Sequence, residues 1–179
     1  METVEIVRLQ PEDWAHYRAL RLEALRLEPQ AFGSSCADQA ANPDSFWKER
    51  LQRGADSAID GLLFARSEQQ LVGMIGWVRE PSSSRSILVA MYVTEAARGR
   101  GIGSMLVQAA LEDMGSHEDI EVVVLSVNRD QTAAVSLYEK HGFSVCRESA
   151  VQMGDGIEHW TLEMEKRLRV ADTPSLSGS

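Results

Sequence analysis

The chain has 179 residues, 44% of them hydrophobic and 25% charged, a balance suited to one domain whose core can fold alone. Its 27 acidic residues against 18 basic ones leave a formal net charge of -9, which repels phosphate backbones and argues against nucleic acid as a partner. No run approaches the roughly 18 apolar residues that span a bilayer, and METVEIVRLQPEDW has no basic segment followed by an apolar one, so neither a membrane span nor a secretory leader is expected.

Cys36 and Cys146 lie far apart without metal-type spacing, which reads as a reduced cytoplasmic protein with buried thiols and no metal. Val4 to Leu9 reads as a short first strand. From Pro11 a helical pattern sets in, with Tyr17, Leu20, Ala24 and Leu27 at spacings of three and four, and it ends before Pro29. A second helix is expected over about Pro43 to Arg53, with Asn42 as its cap and Pro43 as its first residue.

GLLFARSEQQLVGMIGWVRE then reads as two strands around a polar turn at Ser67 to Gln70. PSSSR is a loop, and SILVAMYVT is a strand too apolar for a wet face. A glycine segment follows, then a helix over about Ile102 to Met114 with Ile102, Met105, Leu106 and Ala109 on one side. IEVVVLSV is another buried strand, and Thr132 to Lys140 is helical with Gly142 as terminator. The last strands are about Phe143 to Gln152 and Ile157 to Glu165, the latter alternating Trp160, Leu162 and Met164 with His159, Thr161 and Glu163.

The predicted order is βααβββαβαββ, a mixed α/β sheet of about seven strands flanked by four helices. Residues 1–169 form the domain, and 170–179, ending ADTPSLSGS, read as a disordered tail.

The segment ARGRGIGSML places Gly99, Gly101 and Gly103 directly after a buried strand and at the start of a helix. A helix start exposes unpaired N–H groups and the positive end of the dipole, and bare glycine backbone lets an anion approach them. Arg98 and Arg100 add positive charge. The segment is neither a Walker loop, which needs a lysine after the last glycine, nor a dinucleotide fingerprint, since the sixth position from Gly99 is Ser104. On these residues alone, a phosphate site and a tight strand-to-helix turn both stand.

MYVTEAARGRGIGSMLVQAAL resembles the acetyl-CoA signature of the GNAT (GCN5-related N-acetyltransferase) superfamily, whose Q/R-x-x-G-x-G/A core is matched by Arg98, Gly101 and Gly103. LSVNRDQTAAVSLYEKHGF is similar to the strand and helix that follow in that family, and the likeness runs over about Val4 to Arg167. Glu95 stands where many members carry proline. The resemblance implies a GNAT fold with a V-shaped opening between parallel strands at Ile87 to Val93 and Glu121 to Val127.

It further implies that acetyl-CoA lies along Met91, Tyr92 and Val93, and that its diphosphate rests on Arg98, Gly99, Arg100, Gly101, Ile102, Gly103 and Ser104. Asn128 would bond the amide portion, while Ala133 and Ala134 would line the passage near the adenosine. Tyr138 occupies the family's tyrosine position and would both touch the cofactor and protonate the departing sulfur, its phenol being neutral at pH 7.

The resemblance also implies transfer of acetyl to a primary amine in a ternary complex, with the main-chain N–H near Val93 polarising the carbonyl. Glu80, Glu23 and His159, or water, are the candidates for the base that deprotonates the amine. Trp77 and Trp160 are candidate walls of an acceptor pocket, and a homodimer is an open expectation, as such proteins often form one. A small-molecule acceptor is favoured. The alternatives are a non-catalytic acyl-CoA sensor on the same fold and a protein or peptide N-acetyltransferase.

Overall fold

The structure, a computed structural model, describes residues 2–56 and 59–169. The expected tail at 170–179 lies outside the described residues. The chain runs β1 (Val4–Val7), α1 (Trp14–Leu27), α2 (Cys36–Ala40), α3 (Asp44–Ala55), β2 (Asp60–Ser67), β3 (Gln70–Arg79) and β4 (Arg85–Val93). It continues through α4 (Ile102–Gly115), β5 (Val122–Asn128), α5 (Thr132–Lys140), β6 (Ser144–Gln152) and β7 (Glu158–Arg167).

One seven-stranded sheet in the order β1-β2-β3-β4-β5-β7-β6 forms the centre. Among the described residues the β4–β5 pair alone is parallel, joined by the crossover through α4.

The middles of the strands from β2 to β5 are runs of apolar residues because helices pack on both faces of the sheet there. Leu63, Ala65, Ile75, Trp77, Val123 and Leu125 pack on one side with Ile102, Leu106, Val107 and Met114 of α4. Leu62, Phe64, Met74 and Tyr92 turn to the other side, against Tyr17, Leu20 and Ala24 of α1 and Trp47 and Leu51 of α3. Each such side chain, fully buried, contributes about 1.5–3 kcal/mol, so these two layers hold the fold.

Trp77 fits because Gly61 opposite it leaves the space its indole ring fills, and its Nε1 donates to Asp113 Oδ2 at 2.8 Å. Asp113 in turn pairs with Arg8 at 2.6 Å.

Several boundaries differ from expectation. There are five α-helices among the described residues, not four: α2 was missed because five residues carry too little periodicity. Its cap is Ser35, whose Oγ accepts from Asp38 N at 3.1 Å. Pro43, not Asn42, is the N-cap of α3, and Asn42 donates to Gln39 O. Pro11–Asp13 is a separate 3-10 turn, its entry fixed by Gln10 N donating to Asp13 Oδ2. Met105 of α4 is exposed, unlike Ile102 and Leu106. Both cysteines are free, and Cys146 is exposed, where burial was expected of both.

Candidate active site

β4 and β5 are paired only over Arg85 to Ile87, against Val122 to Val124. Beyond Ile87 they separate, while β4 stays on β3 and β5 stays on β7 to Asn128. The separation coincides with a β-bulge: two residues, Ala90 and Met91, oppose Ile75 alone, and Ala90 adopts a φ of 57°. A left-handed, non-glycine residue at such a kink is a strained position of the kind found at functional sites.

On the β3 side, Tyr92 faces Met74 and Thr94 N donates to Val72 O at 2.9 Å. Strand alternation turns the main-chain groups of Met91 and Val93 the other way, into the gap that β5 has left. The gap opens into a cleft of about 890 Å³.

At one end of the cleft lies the glycine turn. Gly101 is the N-cap of α4 with a φ of 78° and no side-chain cap, so the first amides of the helix have no acceptor inside it. Gly99 has a φ of 75°. A Cβ on either would meet nothing within 4 Å. Within the chain the requirement for glycine at these two positions is therefore the left-handed backbone, not a clash with a neighbouring residue. Gly103 differs: its Cβ would press on Met91 Cε at 3.1 Å and Leu137 Cδ2 at 3.2 Å. Within the chain itself, then, the three glycines answer to two separate causes.

Of the residues singled out in the sequence, Met91, Tyr92, Val93, Arg98, Gly99, Gly101, Ile102, Gly103, Ser104, Ala133, Ala134 and Tyr138 all line this cleft. The Arg98 side chain folds back, with Nε donating to Val93 O at 3.1 Å and Nη2 to Glu28 Oε1 at 2.5 Å. Arg100 points away and pairs with Glu2 at 3.3 Å. Ser104 Oγ lies 2.8 Å from His141 Nε2.

Asn128 is buried and already bonded: it donates to Gln30 O at 3.1 Å and its Oδ1 accepts from Asp130 N at 2.9 Å. Tyr138 is 6% exposed, packs edge-on against Phe143 at 5.9 Å, and its phenol bonds to no group among the described residues. Burial pushes its pKa above that of an ordinary phenol, so it is a neutral donor at physiological pH.

Residues 28–34 cross the mouth of the cleft as a strap. Glu28 ties it to Arg98 on the α4 side, Gln30 O to Asn128 at the end of β5, and Phe32 O accepts from Gly154 N at 2.7 Å in the β6–β7 turn. Glu28, Ala31 and Phe32 line the cleft from this side, and the Arg21 guanidinium lies 4.9 Å from the Phe32 ring centroid. These residues escaped the sequence reading because Pro29 ends the helical pattern and the stretch after it has no period. Pro29 itself was the available signal that an irregular segment begins there.

The base candidates fall outside the cleft lining. Glu80 sits in the β3–β4 turn, paired with Arg85 at 3.2 Å. Glu23 accepts from Tyr92 Oη at 2.9 Å, and burial followed by this bond raises the Tyr92 pKa. His159 is held by Asp155 at 2.7 Å, a bond that lowers the Asp155 pKa. Trp77 is fully buried in the core and outside the lining of this cleft; Trp160 is 51% exposed with the Arg129 guanidinium 5.6 Å from its ring. No helix among the described residues is long and apolar enough to cross a membrane.

A mixed sheet parted between two parallel strands, ending on uncapped helix amides, defines the class: a GNAT-type acetyltransferase fold. The chain belongs to the acetyltransferase (GNAT) family, whose model matches residues 19–143. Mycothiol acetyltransferase from Corynebacterium glutamicum (strain R) is 36% identical over 90 residues, 50% of this chain and 30% of that protein. Mycothiol acetyltransferase from Mycolicibacterium vanbaalenii is 28% identical over 153 residues, 82% of this chain and 47% of that one. The chain thus spans less than half the length of these relatives.

Among solved structures, an acetyltransferase of the GNAT family from Streptococcus pneumoniae superposes with a TM-score of 0.81 at 22% identity, covering 92% of this chain and 99% of that one. YncA from Salmonella typhimurium, solved with acetyl-CoA, gives 0.79 at 16% identity, covering 97% and 99%. At these identities the likeness is one of fold.

Proposed function

We propose that this protein transfers the acetyl group of acetyl-CoA to the primary amine of a small molecule, by direct attack while both substrates are bound. The observation that carries the reading is the alignment, along one cleft, of open β4 backbone, uncapped α4 amides and the unpartnered Tyr138 phenol. The residues suit the thioester's parts: a strand edge for the pantetheine amides, and N–H groups with a helix dipole for the diphosphate. Asn128 holds the strap through Gln30 O and accepts from Asp130 N, and its second Nδ2 proton and second Oδ1 lone pair are left for the amide portion of the cofactor.

In the reaction, the Val93 N–H faces the acetyl carbonyl and stabilises the charge that grows on its oxygen. The amine nitrogen forms the new C–N bond as the C–S bond breaks, and Tyr138 gives its proton to the departing sulfur. Glu28 is the strap carboxylate that lines the cleft, which makes it the base to test in place of Glu23, Glu80 and His159. The strap favours a small acceptor over a peptide, because three hydrogen bonds hold it across the mouth where an extended chain would enter.

The test is release of free thiol from acetyl-CoA with a panel of amines. Tyr138→Phe should lower kcat about a hundredfold, within the range for loss of a general acid, and leave the Kd for acetyl-CoA within twofold. An unchanged kcat would remove Tyr138 from the chemistry. Tight binding of acetyl-CoA without turnover on any amine would support a sensor instead.

A further inference from the structure

Resting on the transfer reading above, we propose that the acceptor is an amine bearing a carboxylate, and that Arg21, beside Phe32 of the strap, is the residue that binds its acid group. Arg21 projects from α1 and is only 7% exposed, yet it forms no ion pair among the described residues. Its Nε and Nη1 are shut off from solvent with no acceptor. Acids are not scarce in a chain with 27 of them, and Arg8, Arg66 and Arg98 each hold a carboxylate. A guanidinium stays charged at any physiological pH, and a buried charge without a counter-ion is a costly arrangement. An oxyanion from outside the chain removes that cost.

The space around Arg21 gathers a second cation and a neutral donor. Arg50 of α3 meets the Phe46 ring at 5.6 Å, as Arg21 meets the Phe32 ring at 4.9 Å, and Arg50 is not ion-paired among the described residues either. Tyr17 stands one turn before Arg21, its ring 5.3 Å from that of Trp47. Both guanidinium charges reach the Tyr17 phenol, but burial outweighs them and keeps it neutral. Tyr17 is therefore a donor and not the missing counter-ion. The aromatic faces attract the two cations without accepting their N–H groups in the way an oxygen does.

The position of Phe32 links this cationic space to the acceptor. Its ring borders both the Arg21 guanidinium and the cleft. Glu28, at the other end of the strap, lines the same cleft and is the base to test for the amine. An acceptor whose nitrogen faces Glu28 can extend its acid group along the strap toward Phe32 and Arg21. There the planar guanidinium fork matches the two oxygens of a carboxylate. On a chain of net charge -9, such a local cation is what an acidic substrate needs.

The experiment is thiol release from acetyl-CoA with α- and ω-amino acids, each compared with the amino alcohol in which CH2OH replaces the carboxylate. The two amines of a pair are close in basicity, so the ratio of their kcat/KM values isolates the acid group. The best amino acid should exceed its alcohol by at least about tenfold, as for a hydrogen bond to a charged group. Arg21→Met keeps the stem and removes the charge, and should bring the ratio within about threefold of one. Arg21→Lys keeps the charge without the fork and should leave an intermediate ratio; it carries the same comparison if the methionine variant does not fold. Arg21→Met should melt no lower than the parent protein, since no group in the chain loses an ion-pair partner. A purely structural arginine would lower the melting temperature and leave the ratio unmoved.

A ratio near one in the parent protein, or a preference for acids that survives in folded Arg21→Met, overturns the assignment. If the ratio is near one while acetate or inorganic phosphate stabilises the parent protein but not Arg21→Met, the site takes a free anion instead of the acceptor. Absence of thiol release with every amine overturns the transfer reading, and thermal melts with the N-acetyl amino acids then judge the site by itself. Stabilisation by them that Arg21→Met abolishes upholds a carboxylate site, and no stabilisation overturns it.

Discussion

On the β4–α4–β5 side the cleft is lined by main chain that the sheet and the helix leave open, with only Val93 O taken up by Arg98 Nε, whereas on the strap side it is lined by groups already bonded across the cleft mouth. Met91, Val93 and the first amides of α4 are open because their strand has lost a neighbour and their helix has no cap. Glu28, Gln30 and Phe32 each hold one end of a hydrogen bond to a different element: the loop before α4, the end of β5 and the β6–β7 turn. The first side is preorganised by backbone geometry and the second by contacts, so they should fail differently when damaged. Harm to the turn should weaken cofactor binding, and harm to the strap should weaken acceptor binding.

The largest effect that separates the two sides is expected at Gly154. A Cβ there would run into Ser34 O, and would also lie 3.0 Å from Ser34 C and 3.1 Å from Phe32 O. These are backbone atoms of the strap, which cannot swing away as a side chain can. Gly154→Ala must therefore displace the strap or the β6–β7 turn, at a cost of about 1–3 kcal/mol for the overpacking. The expected outcome is a lower melting temperature and a KM for the amine raised at least tenfold, with the Kd of acetyl-CoA unchanged. A matching loss of acetyl-CoA affinity would show that the two sides are not independent.

A smaller effect is expected in the glycine turn, where space and conformation make opposite forecasts. Gly101 has open room for a Cβ but a φ of 78°, while Gly103 has a helical backbone and crowded neighbours. Gly101→Ala should destabilise by about 1–2 kcal/mol, the cost of a left-handed L-residue. Gly103→Ala should cost less, since helix propensity favours alanine by about 0.5–1 kcal/mol and its contacts are the mobile ends of Met91 and Leu137. Urea denaturation of the two variants decides the order, and a larger loss at Gly103 would restore bulk as the reason for glycine.

This contrast also explains what the sequence could show. A positive φ favours glycine, so Gly99 and Gly101 stand out in the sequence without any structure. The central strands were equally plain, because two covered faces leave continuous apolar runs such as VVVLSV. Nothing local marks the strap, because Gln30 and Phe32 bond through carbonyls that every residue possesses. The internal bonds of Asn128 are hidden in the same way: its partners lie 98 positions away and two positions on, and only folding brings them to it. The base could not be chosen from sequence because an isolated Glu or His carries no sign of which cleft it faces.

The smallest effect concerns the Arg98–Glu28 pair, where the two sides of the cleft touch. Arg98 is 46% exposed and Glu28 24%, so water screens the pair and its contribution to stability is about 0–1 kcal/mol. Arg98 is also held to Val93 O, so its guanidinium keeps one anchor when the carboxylate is removed. Glu28→Gln should therefore shift the melting temperature by no more than a degree or two, and by nothing at high salt, where the ion pair is already screened. The same variant should cut kcat more than tenfold if Glu28 takes the proton from the amine, because an amide cannot accept it. A fall in rate without a fall in stability separates the chemical role from the staple. A fall in both by the same proportion would leave the strap's closure as the only work that Glu28 does.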